Sequence, residues 1–273
     1  MDNIISSLNN SVPKPSGEII GTDGLLHCAT CGKAVETVVN HPFIEGKTVK
    51  VRCICDCRIR DMAAAEEKER RDDIERRKRI CFAETNMKEW NFANDDGENA
   101  KVTAAMRKYC DRFQTFRKDG TGIVLFGSVG TGKTYFAACV ANELIESGYT
   151  VMMTNFARIT NKIQGMYEGK NEYIDSLNRY DLLIIDDLGA ERKSEYMQEM
   201  VYNIIDSRYR SGLPMIVTTN LTWKEITTPN EVGYARIYDR IIERCIPVQV
   251  TGASRRRKSM NENIRNERAK IGL

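Results

Sequence analysis

The sequence predicts an α/β protein whose main domain has a mostly parallel sheet with helices on both faces, preceded by a small cysteine-rich module and a linker helix. Three observations predict this class. From about residue 81, short runs of branched apolar residues alternate with helical patterns, which is typical of a parallel sheet between two helical layers. Five of the nine cysteines lie within residues 25–57. Residues 58–80 lack glycine and proline and are mostly charged, which favours an exposed helix with ion pairs between turns.

Size and composition are those of an ordinary protein with a packable core. The chain has 273 residues, of which 41% are hydrophobic and 29% are charged, and its net charge of +3 is too small to indicate an anionic partner by itself. It has no apolar run of 18 residues and no secretory signal pattern at its start. We therefore expect no membrane span, a cytoplasmic location, and cysteines that are reduced or bound to metal. The expected parts are a flexible tail (1–24), a cysteine module (25–57), a charged linker helix (58–80), the α/β domain (81–258) and a basic C-terminal tail (259–273).

The elements of the main domain follow in order. An aromatic lead-in, expected to pack on the core, contains Trp90, Phe92, Tyr109, Phe113 and Phe116. The predicted strands span 123–126, 149–154, 181–186, 215–219 and 247–251, and the predicted helices span 133–146, 156 to about 167, about 194–211 and about 235–245. Gly148 and Gly212 follow the first and third of these helices, as glycine does at helix C-termini. Thr222 and Glu225 have the spacing of a capping box and predict a further short helix.

A glycine-rich loop joins the first strand of this domain to its first helix. Its residues, with the one that follows, are Gly127, Ser128, Val129, Gly130, Thr131, Gly132, Lys133, Thr134 and Tyr135. Between a strand and a helix, G-x-x-x-x-G-K-[ST] predicts a phosphate-binding P-loop, because glycines let backbone N–H groups point at phosphate oxygens. We expect Lys133 to neutralise the outer phosphates of ATP and the Thr134 hydroxyl to bind Mg²⁺.

Polar residues end two further strands. Asp186 and Asp187 follow four branched apolar residues at the end of the 181–186 strand, where ligands bind in parallel sheets. Two adjacent carboxylates are unfavourable unless a cation offsets them. We therefore expect Asp186 to be linked to Mg²⁺ and Asp187 to polarise the attacking water. Asn220 ends the 215–219 strand and could reach the γ-phosphate, although such a residue is also a common turn former.

These motifs together resemble a known family. The P-loop, the DLLIIDDLGAE stretch (181–191), the TTN strand end (218–220) and the ARIYDRI segment (235–241) are similar to those of AAA+ ATPases. They are more closely similar to bacterial helicase loaders of the DnaC/DnaI type and their phage-encoded relatives, with which the transposase-helper ATPases of the IstB group share these motifs. The resemblance covers about residues 81–258, and the cysteine-rich front end also resembles phage-type loaders.

The resemblance assigns roles to single residues. It makes Asn220 the sensor-1 residue, Arg240 the arginine finger that enters a neighbouring subunit's site, and Arg255 the sensor-2 arginine. Arg236 and Arg244 lie one helical turn on either side of Arg240 and remain alternatives. Many AAA+ enzymes have glutamate where this chain has Asp187, and the shorter side chain lies further from the water, so we expect slow ATP turnover.

The cysteine spacing predicts a structural zinc site. Cys28 and Cys31 form a C-x-x-C pair, and Cys53, Cys55 and Cys57 follow 21 residues later. Because Zn²⁺ takes four ligands in a tetrahedron, one of the five cysteines is spare. We expect Cys28, Cys31 and Cys53 to bind zinc with either Cys55 or Cys57. His27 and His41 could substitute, although each also fits a turn or a surface position. A redox switch or unpaired thiols are the alternatives to zinc.

Function follows from the resemblance. It implies an ATP-dependent loader that assembles with ATP into a homo-oligomer and places a DnaB-type replicative helicase on single-stranded DNA, with the cysteine module gripping the helicase. Candidate DNA contacts are Arg158, Lys162 and Tyr167 within residues 156–167, and the basic run 255–258, because strand binding uses stacking and charge. The alternative is an IstB-like transposition helper that binds duplex DNA and a transposase. A third possibility is an adaptor that binds ATP without hydrolysing it.

Overall fold

The computed structural model describes residues 17–83, 85–191 and 194–255, and residues 260, 264, 267–268 and 270–271. The chain divides into two compact units, Met1–Asp73 and Ile74–Leu273. The division falls inside helix α1 (Asp56–Phe82), which continues two residues beyond each end of the predicted linker helix. No helix in the described part of the chain has the length and apolar character needed to cross a membrane.

The first unit contains two small antiparallel sheets. Strands β1 (Glu18–Ile20) and β2 (Leu26–Cys28) form one, and strands β3 (Glu36–Asn40) and β4 (Thr48–Arg52) form the other. Among the described residues of this unit only Val35 and Cys55 are buried apolar side chains. A unit with so little apolar core needs another source of stability, such as a metal.

The second unit is built on one five-stranded parallel sheet. Its strands are β5 (Gly122–Phe126), β6 (Val151–Thr154), β7 (Leu182–Leu188), β8 (Met215–Thr219) and β9 (Cys245–Gln249), in the order β6-β7-β8-β5-β9. All four pairs are parallel. The carboxyl ends of the strands therefore share one edge of the sheet.

Helices cover both faces of this sheet. Their bounds are α2 (Ala100–Asp111), α3 (Phe113–Asp119), α4 (Lys133–Glu146), α5 (Phe156–Gln164), α6 (Lys170–Ser176), α7 (Glu195–Arg210), α8 (Trp223–Thr227) and α9 (Val232–Arg244). Ile123 and Leu125 of β5 pack with α2 and α4, whereas Val124 packs with α5, α7 and α9. Alternate side chains of a strand point to opposite faces, and the predicted α/β class with two helical layers is confirmed.

Several element ends differ from the prediction. The capping box at Thr222 and Glu225 begins α8 as expected. The 156–167 helix ends at Gln164, and α6 follows it without having been predicted. The last strand lies two residues earlier than expected, because Cys245 already pairs with Gly122. In the lead-in, Tyr109 and Phe113 are buried in the core as predicted.

A buried arginine ties together the amino ends of β7 and β8. The side chain of Arg208 in α7 has no exposed area. Its guanidinium donates to the carbonyl oxygens of Tyr180 at 3.0 Å, Asp181 at 3.1 Å and Pro214 at 2.7 Å, and to that of Leu177 at 3.5 Å. Burial lowers the pKa of Arg208 to about 10, so the group stays charged at neutral pH.

Candidate functional site: a nucleotide cleft and a cysteine cluster

The P-loop lies between β5 and α4, at the carboxyl edge of the sheet. Two of its glycines are required for two reasons: their φ angles are positive, and neighbouring atoms lie too close for a Cβ. Gly127 has φ +143°, and a Cβ there would lie 2.2 Å from the carbonyl oxygen of Val250. Gly130 has φ +85°, and a Cβ there would lie 2.2 Å from the Ser254 hydroxyl oxygen. A side chain at either position would push the segment after β9 away from the loop.

Lys133 is held inside the loop. Its Nζ donates to the carbonyl oxygens of Gly127 at 2.9 Å and Ser128 at 2.8 Å, and to Asn220 Oδ1 at 2.7 Å. Thr131 is also buried, and its hydroxyl donates to the Ser128 carbonyl oxygen. A buried ammonium beside backbone carbonyls and a strand-end amide, at the start of a helix, is suited to an anionic ligand such as phosphate. The residues of the loop therefore fit ATP.

Asp186 lies beside the first turn of α4. The Thr134 hydroxyl donates to Asp186 Oδ1 at 2.9 Å, and the Thr218 hydroxyl donates to the same oxygen at 2.6 Å. A carboxylate and a hydroxyl are the oxygen ligands that Mg²⁺ uses beside nucleotide phosphates. The pair of Thr134 and Asp186 therefore fits Mg²⁺.

Asp187 has a left-handed backbone conformation with φ +57°, which is uncommon for a residue other than glycine. Its N–H donates to the Thr218 hydroxyl oxygen at 2.9 Å, and Asn220 Nδ2 donates to its Oδ1 at 3.3 Å. Asn220 thus contacts both Lys133 and Asp187. The structure brings together the three side chains that the sequence placed on separate strands and on the loop.

These residues line a cleft of about 380 Å³. The lining includes Val129, Gly130, Gly132, Lys133, Thr134, Tyr135, Asp187, Asn220 and Arg255 from the predicted set, and Trp90, Asn94 and Asp96 from the lead-in. The ring centroids of Trp90 and Tyr135 lie 5.8 Å apart. Trp90 packs against the core as expected and also lines the cleft, whereas Asn94 and Asp96 had no predicted role. No local pattern marks the lead-in as part of a cleft, because its contacts reach distant segments: the Tyr135 hydroxyl donates to the Asn91 carbonyl oxygen, and Arg255 donates to Asp96.

Arg255 reaches the cleft from the segment after β9, as the resemblance implied. Its Nη2 donates to Asp96 Oδ1 at 2.8 Å and lies 3.4 Å from Asp95 Oδ1. The guanidinium carbon lies 5.6 Å from the ring centroid of Tyr135 and 5.4 Å from that of Phe136. The predicted basic residues Arg256, Arg257 and Lys258, like most of the 1–24 tail, lie outside the described residues.

Arg240 does not lie in this cleft. Its Nε donates to Asp206 Oδ1 at 2.6 Å, its Nη2 to the Tyr202 hydroxyl at 2.8 Å and its Nη1 to the Arg236 carbonyl oxygen at 3.0 Å. Arg236 is exposed, and the Arg244 guanidinium lies 5.0 Å from the Tyr209 ring centroid. Arg240 is thus bound within its own chain, whereas Arg236 lies on the surface.

The cysteines of the first unit form a compact cluster. The Sγ atoms of Cys28, Cys31, Cys55 and Cys57 all lie within 4.8 Å of one another. Four thiolates about 2.3 Å from a tetrahedral zinc ion lie about 3.8 Å apart, so the set fits zinc. The Cys31 N–H is the main cause that lowers the pKa of Cys28 to about 6, whereas hydrogen bonds with the neighbouring thiols raise the pKa of Cys57, so the fit to zinc rests on the arrangement of the four sulfurs.

Cys53, which was expected to belong to the set, lies outside the four-sulfur cluster of the described residues, and its role as a zinc ligand stays a prediction. Its Sγ points to the Ala34 carbonyl oxygen at 3.5 Å, away from the cluster. Cys53 follows β4 directly, while Cys55 and Cys57 lie at the start of α1, where the chain turns back toward the C-x-x-C pair. His27 contacts Gly32 O and Asp23 through its two ring nitrogens, so it is not part of the cluster either.

The candidate DNA segment begins in α5. Arg158, Lys162 and Tyr167 are all exposed, and Tyr167 is exposed completely. Lys162 Nζ lies 4.5 Å from the ring centroid of Tyr173. The segment therefore offers both positive charge and a free aromatic ring at the surface.

Comparison with known proteins identifies the family. The model of the IstB-like ATP binding protein family matches residues 56–263. The replicative helicase loader DnaI of Bacillus subtilis (strain 168) is 26% identical over 149 residues, which are 50% of this chain and 48% of that protein. The replicative helicase loader DnaC of Escherichia coli (strain K12) is 29% identical over 127 residues, 44% of this chain and 50% of that protein.

The chain thus spans about half the length of these relatives. A crystal structure of DnaI is similar with a TM-score of 0.54 and 25% identity, covering 66% of this chain and 99% of that one. The similarity extends over the AAA+ α/β fold described above. Because the family model covers more than half of the chain and contains the whole nucleotide cleft, the protein belongs to the family of IstB-like ATP-binding proteins.

Proposed function

We propose that this protein is an ATP-dependent loader that delivers a DnaB-type replicative helicase onto single-stranded DNA. The observation that carries this proposal is the cleft where Lys133, Asp187 and Asn220 meet, with Asp186 bonded to Thr134 beside it. The similarity of the same domain to proteins named replicative helicase loaders supports the partner.

The cleft residues divide the work of ATP hydrolysis. Lys133 neutralises the outer phosphates. Thr134 and Asp186 would hold Mg²⁺, which would offset the negative charge of the phosphates. Asp187 orients the attacking water and accepts its proton. Asn220 positions the γ-phosphate relative to that water. We infer slow turnover, because the aspartate side chain is one methylene shorter than the glutamate common at this position.

A neighbouring copy completes the site in this proposal. Arg240 remains the proposed arginine finger, and an ATP-dependent homo-oligomer brings it to the next subunit's phosphates. Since Arg240 is bound to Asp206 within its own chain, assembly must exchange that partner for phosphate. Arg236 is the competing candidate, because its side chain is already exposed and could reach a neighbouring subunit without first breaking the bond that holds Arg240 to Asp206.

The zinc module is proposed as the grip on the helicase. Zn²⁺ held by Cys28, Cys31, Cys55 and Cys57 is structural, because an all-thiolate site leaves no open position for a reacting water. The ion would fix the two small sheets, which have little apolar core of their own. The exposed side chains of Arg158, Lys162 and Tyr167 are the proposed contacts with single-stranded DNA.

The alternative is an IstB-like transposition helper, which the description of the matching family suggests.

One experiment separates the loader from the helper. The full chain is incubated with ATP and Mg²⁺, the host's replicative helicase, its transposases, and single- or double-stranded DNA circles, and the transferred protein is measured. We expect helicase transfer to single-stranded circles, lost in Lys133→Ala. Transposase recruitment to duplex circles would instead support the helper, and binding without phosphate release would support an adaptor.

A further inference from the structure

Thr218 is a fully buried hydroxyl at the end of β8, and no role above uses it. The regular pairing of β7 with β8 is interrupted between Ile185 and Leu188. Asp186 and Asp187 therefore lie opposite the single residue Thr218, which is the arrangement of a β-bulge. Bulges of this kind redirect side chains, and they are common beside active sites.

One hydroxyl group contacts both aspartates. The Thr218 hydroxyl donates to Asp186 Oδ1 at 2.6 Å and accepts the backbone N–H of Asp187 at 2.9 Å. A hydroxyl has one hydrogen to donate, and it goes to the carboxylate. Thr218 therefore fixes the side chain of one aspartate and the backbone of the next.

The second contact bears on the backbone of Asp187. A left-handed conformation such as its φ of +57° is unfavourable for a residue with a Cβ. It persists where surrounding contacts hold it. The bond from the Asp187 N–H to Thr218 is such a contact, and without it this N–H would lose its partner. Asp187 in this conformation lines the cleft, and its Oδ1 accepts from Asn220 Nδ2 at 3.3 Å.

We propose that Thr218 is a positioning residue for ATP hydrolysis, acting through the carboxylate of Asp186 and the backbone of Asp187. The proposal rests on the function proposed above. Thr218 does not line the cleft and so acts through the aspartates alone. Its loss should raise the Mg²⁺ requirement and lower the rate constant, while leaving metal-free nucleotide binding unchanged.

The chain offers a matched control at the other end of β7. The Thr150 hydroxyl donates to Asp181 Oδ2 at 2.8 Å and accepts the backbone N–H of Asp181 at 3.1 Å. These are the same two kinds of contact, a carboxylate oxygen and a backbone N–H, here made to the single residue Asp181 where no cleft residue lies. Thr150→Val therefore removes an equivalent hydroxyl from the scaffold, and comparison with Thr218→Val separates positioning from general stability.

The test measures three quantities in the full-length protein: thermal stability, binding of a fluorescent ATP analogue across a Mg²⁺ titration, and phosphate release. For Thr218→Val we expect the Mg²⁺ midpoint to rise and kcat to fall, each about tenfold or more, as for lost outer partners of metal ligands. Thr218→Ser keeps the hydroxyl and should restore both within about threefold. Thr150→Val should lower the Tm only.

Two results would overturn the proposal. One is a Thr218→Val protein that is folded and has an unchanged Mg²⁺ midpoint. The other is a Thr218→Ser protein that is as impaired as Thr218→Val while its Tm equals that of the wild type. If the wild type binds the ATP analogue with Mg²⁺ but releases no phosphate, the proposed ATP hydrolysis is wrong. The Mg²⁺ midpoint of nucleotide binding still tests the role of Thr218 in that case.

Discussion

Arg255 donates from Nη2 to Asp96 Oδ1 at 2.8 Å. The resemblance makes Arg255 the sensor-2 arginine, and its planar guanidinium suits phosphate oxygens, yet here it is paired with a carboxylate of the lead-in. Both residues line the nucleotide cleft. An entering phosphate group must therefore compete with Asp96 for the guanidinium. This competition makes the lead-in a determinant of nucleotide affinity.

The first prediction follows from that competition. Asp96→Asn should tighten ATP binding about two- to fivefold, the range expected when a partly exposed ion pair no longer has to be broken. Arg255→Ala should weaken binding in the same titration. Asn keeps the size of the side chain, so the Tm of the nucleotide-free protein should fall only by the small amount that the lost ion pair contributed. Weaker binding by Asp96→Asn would show that the aspartate supports the nucleotide and does not oppose it.

The second prediction concerns Asp187. Asp187→Asn should reduce the single-turnover rate of phosphate release by about a hundredfold or more, because the group that accepts the proton is lost. Asparagine tolerates the left-handed conformation nearly as well as aspartate, so folding and nucleotide binding should not change. Asp187→Ala would mix both effects and serves as the comparison. A rate for Asp187→Asn within threefold of the wild type would exclude this residue as the base.

The third prediction distinguishes the five cysteines of the first unit. Cys55→Ser should lose zinc when the purified protein is measured by metal analysis, because its Sγ belongs to the four-sulfur cluster. Cys53→Ser should keep about one zinc ion per chain. Each variant replaces one sulfur atom by oxygen, at positions only two residues apart, so each is the control for the other. Retained zinc in Cys55→Ser together with loss in Cys53→Ser would restore the ligand set expected from the sequence.

The fourth prediction tests the arginine finger. Arg240→Ala should lower ATP turnover at high protein concentration, where oligomers form, and leave nucleotide affinity unchanged. Arg236→Ala, one helical turn earlier, is the matched variant. Because Arg240 also pairs with Asp206, the Tm of each variant is measured alongside. If only Arg236→Ala loses turnover, the trans-acting role belongs to Arg236.

The fifth prediction is a pH dependence of stability. Burial alone raises the pKa of Asp181, but the N–H and hydroxyl of Thr150 and the Arg117 guanidinium together lower it below its ordinary value. A lowered folded-state pKa contributes stability above the unfolded pKa of about 3.9, and this contribution is lost as the pH falls through the folded value. Asp181→Asn should therefore be less stable than the wild type at pH 7, and the difference should shrink below about pH 4. A constant difference in unfolding free energy across this range would contradict the assignment.

Much of the fold and of the cleft could be predicted from the sequence, because the signals are local. The P-loop lies between a strand and a helix, and branched apolar runs mark the strands that end at Asp186 and Asn220. The unpredicted parts depend on contacts between distant segments. Trp90 packs against the core as expected, but its local pattern does not show that it also lines a cleft. Asp96 acquires a role only once Arg255 is brought beside it. Which of the five cysteines lies outside the cluster likewise depends on where α1 begins, because this helix starts between Cys55 and Cys57 and not at Cys53.

Arg208 carries a consequence for how this unit folds. Its guanidinium is solvated in the folded protein by backbone carbonyls from the segment that enters β7 and from the residue that precedes β8. A partly assembled sheet that lacks either segment would leave a charge inside the protein without enough oxygen partners, which is strongly unfavourable. Intermediates with only one of these strands in place are therefore disfavoured. The arginine makes the central strands assemble together, so this half of the sheet should form in a single cooperative step.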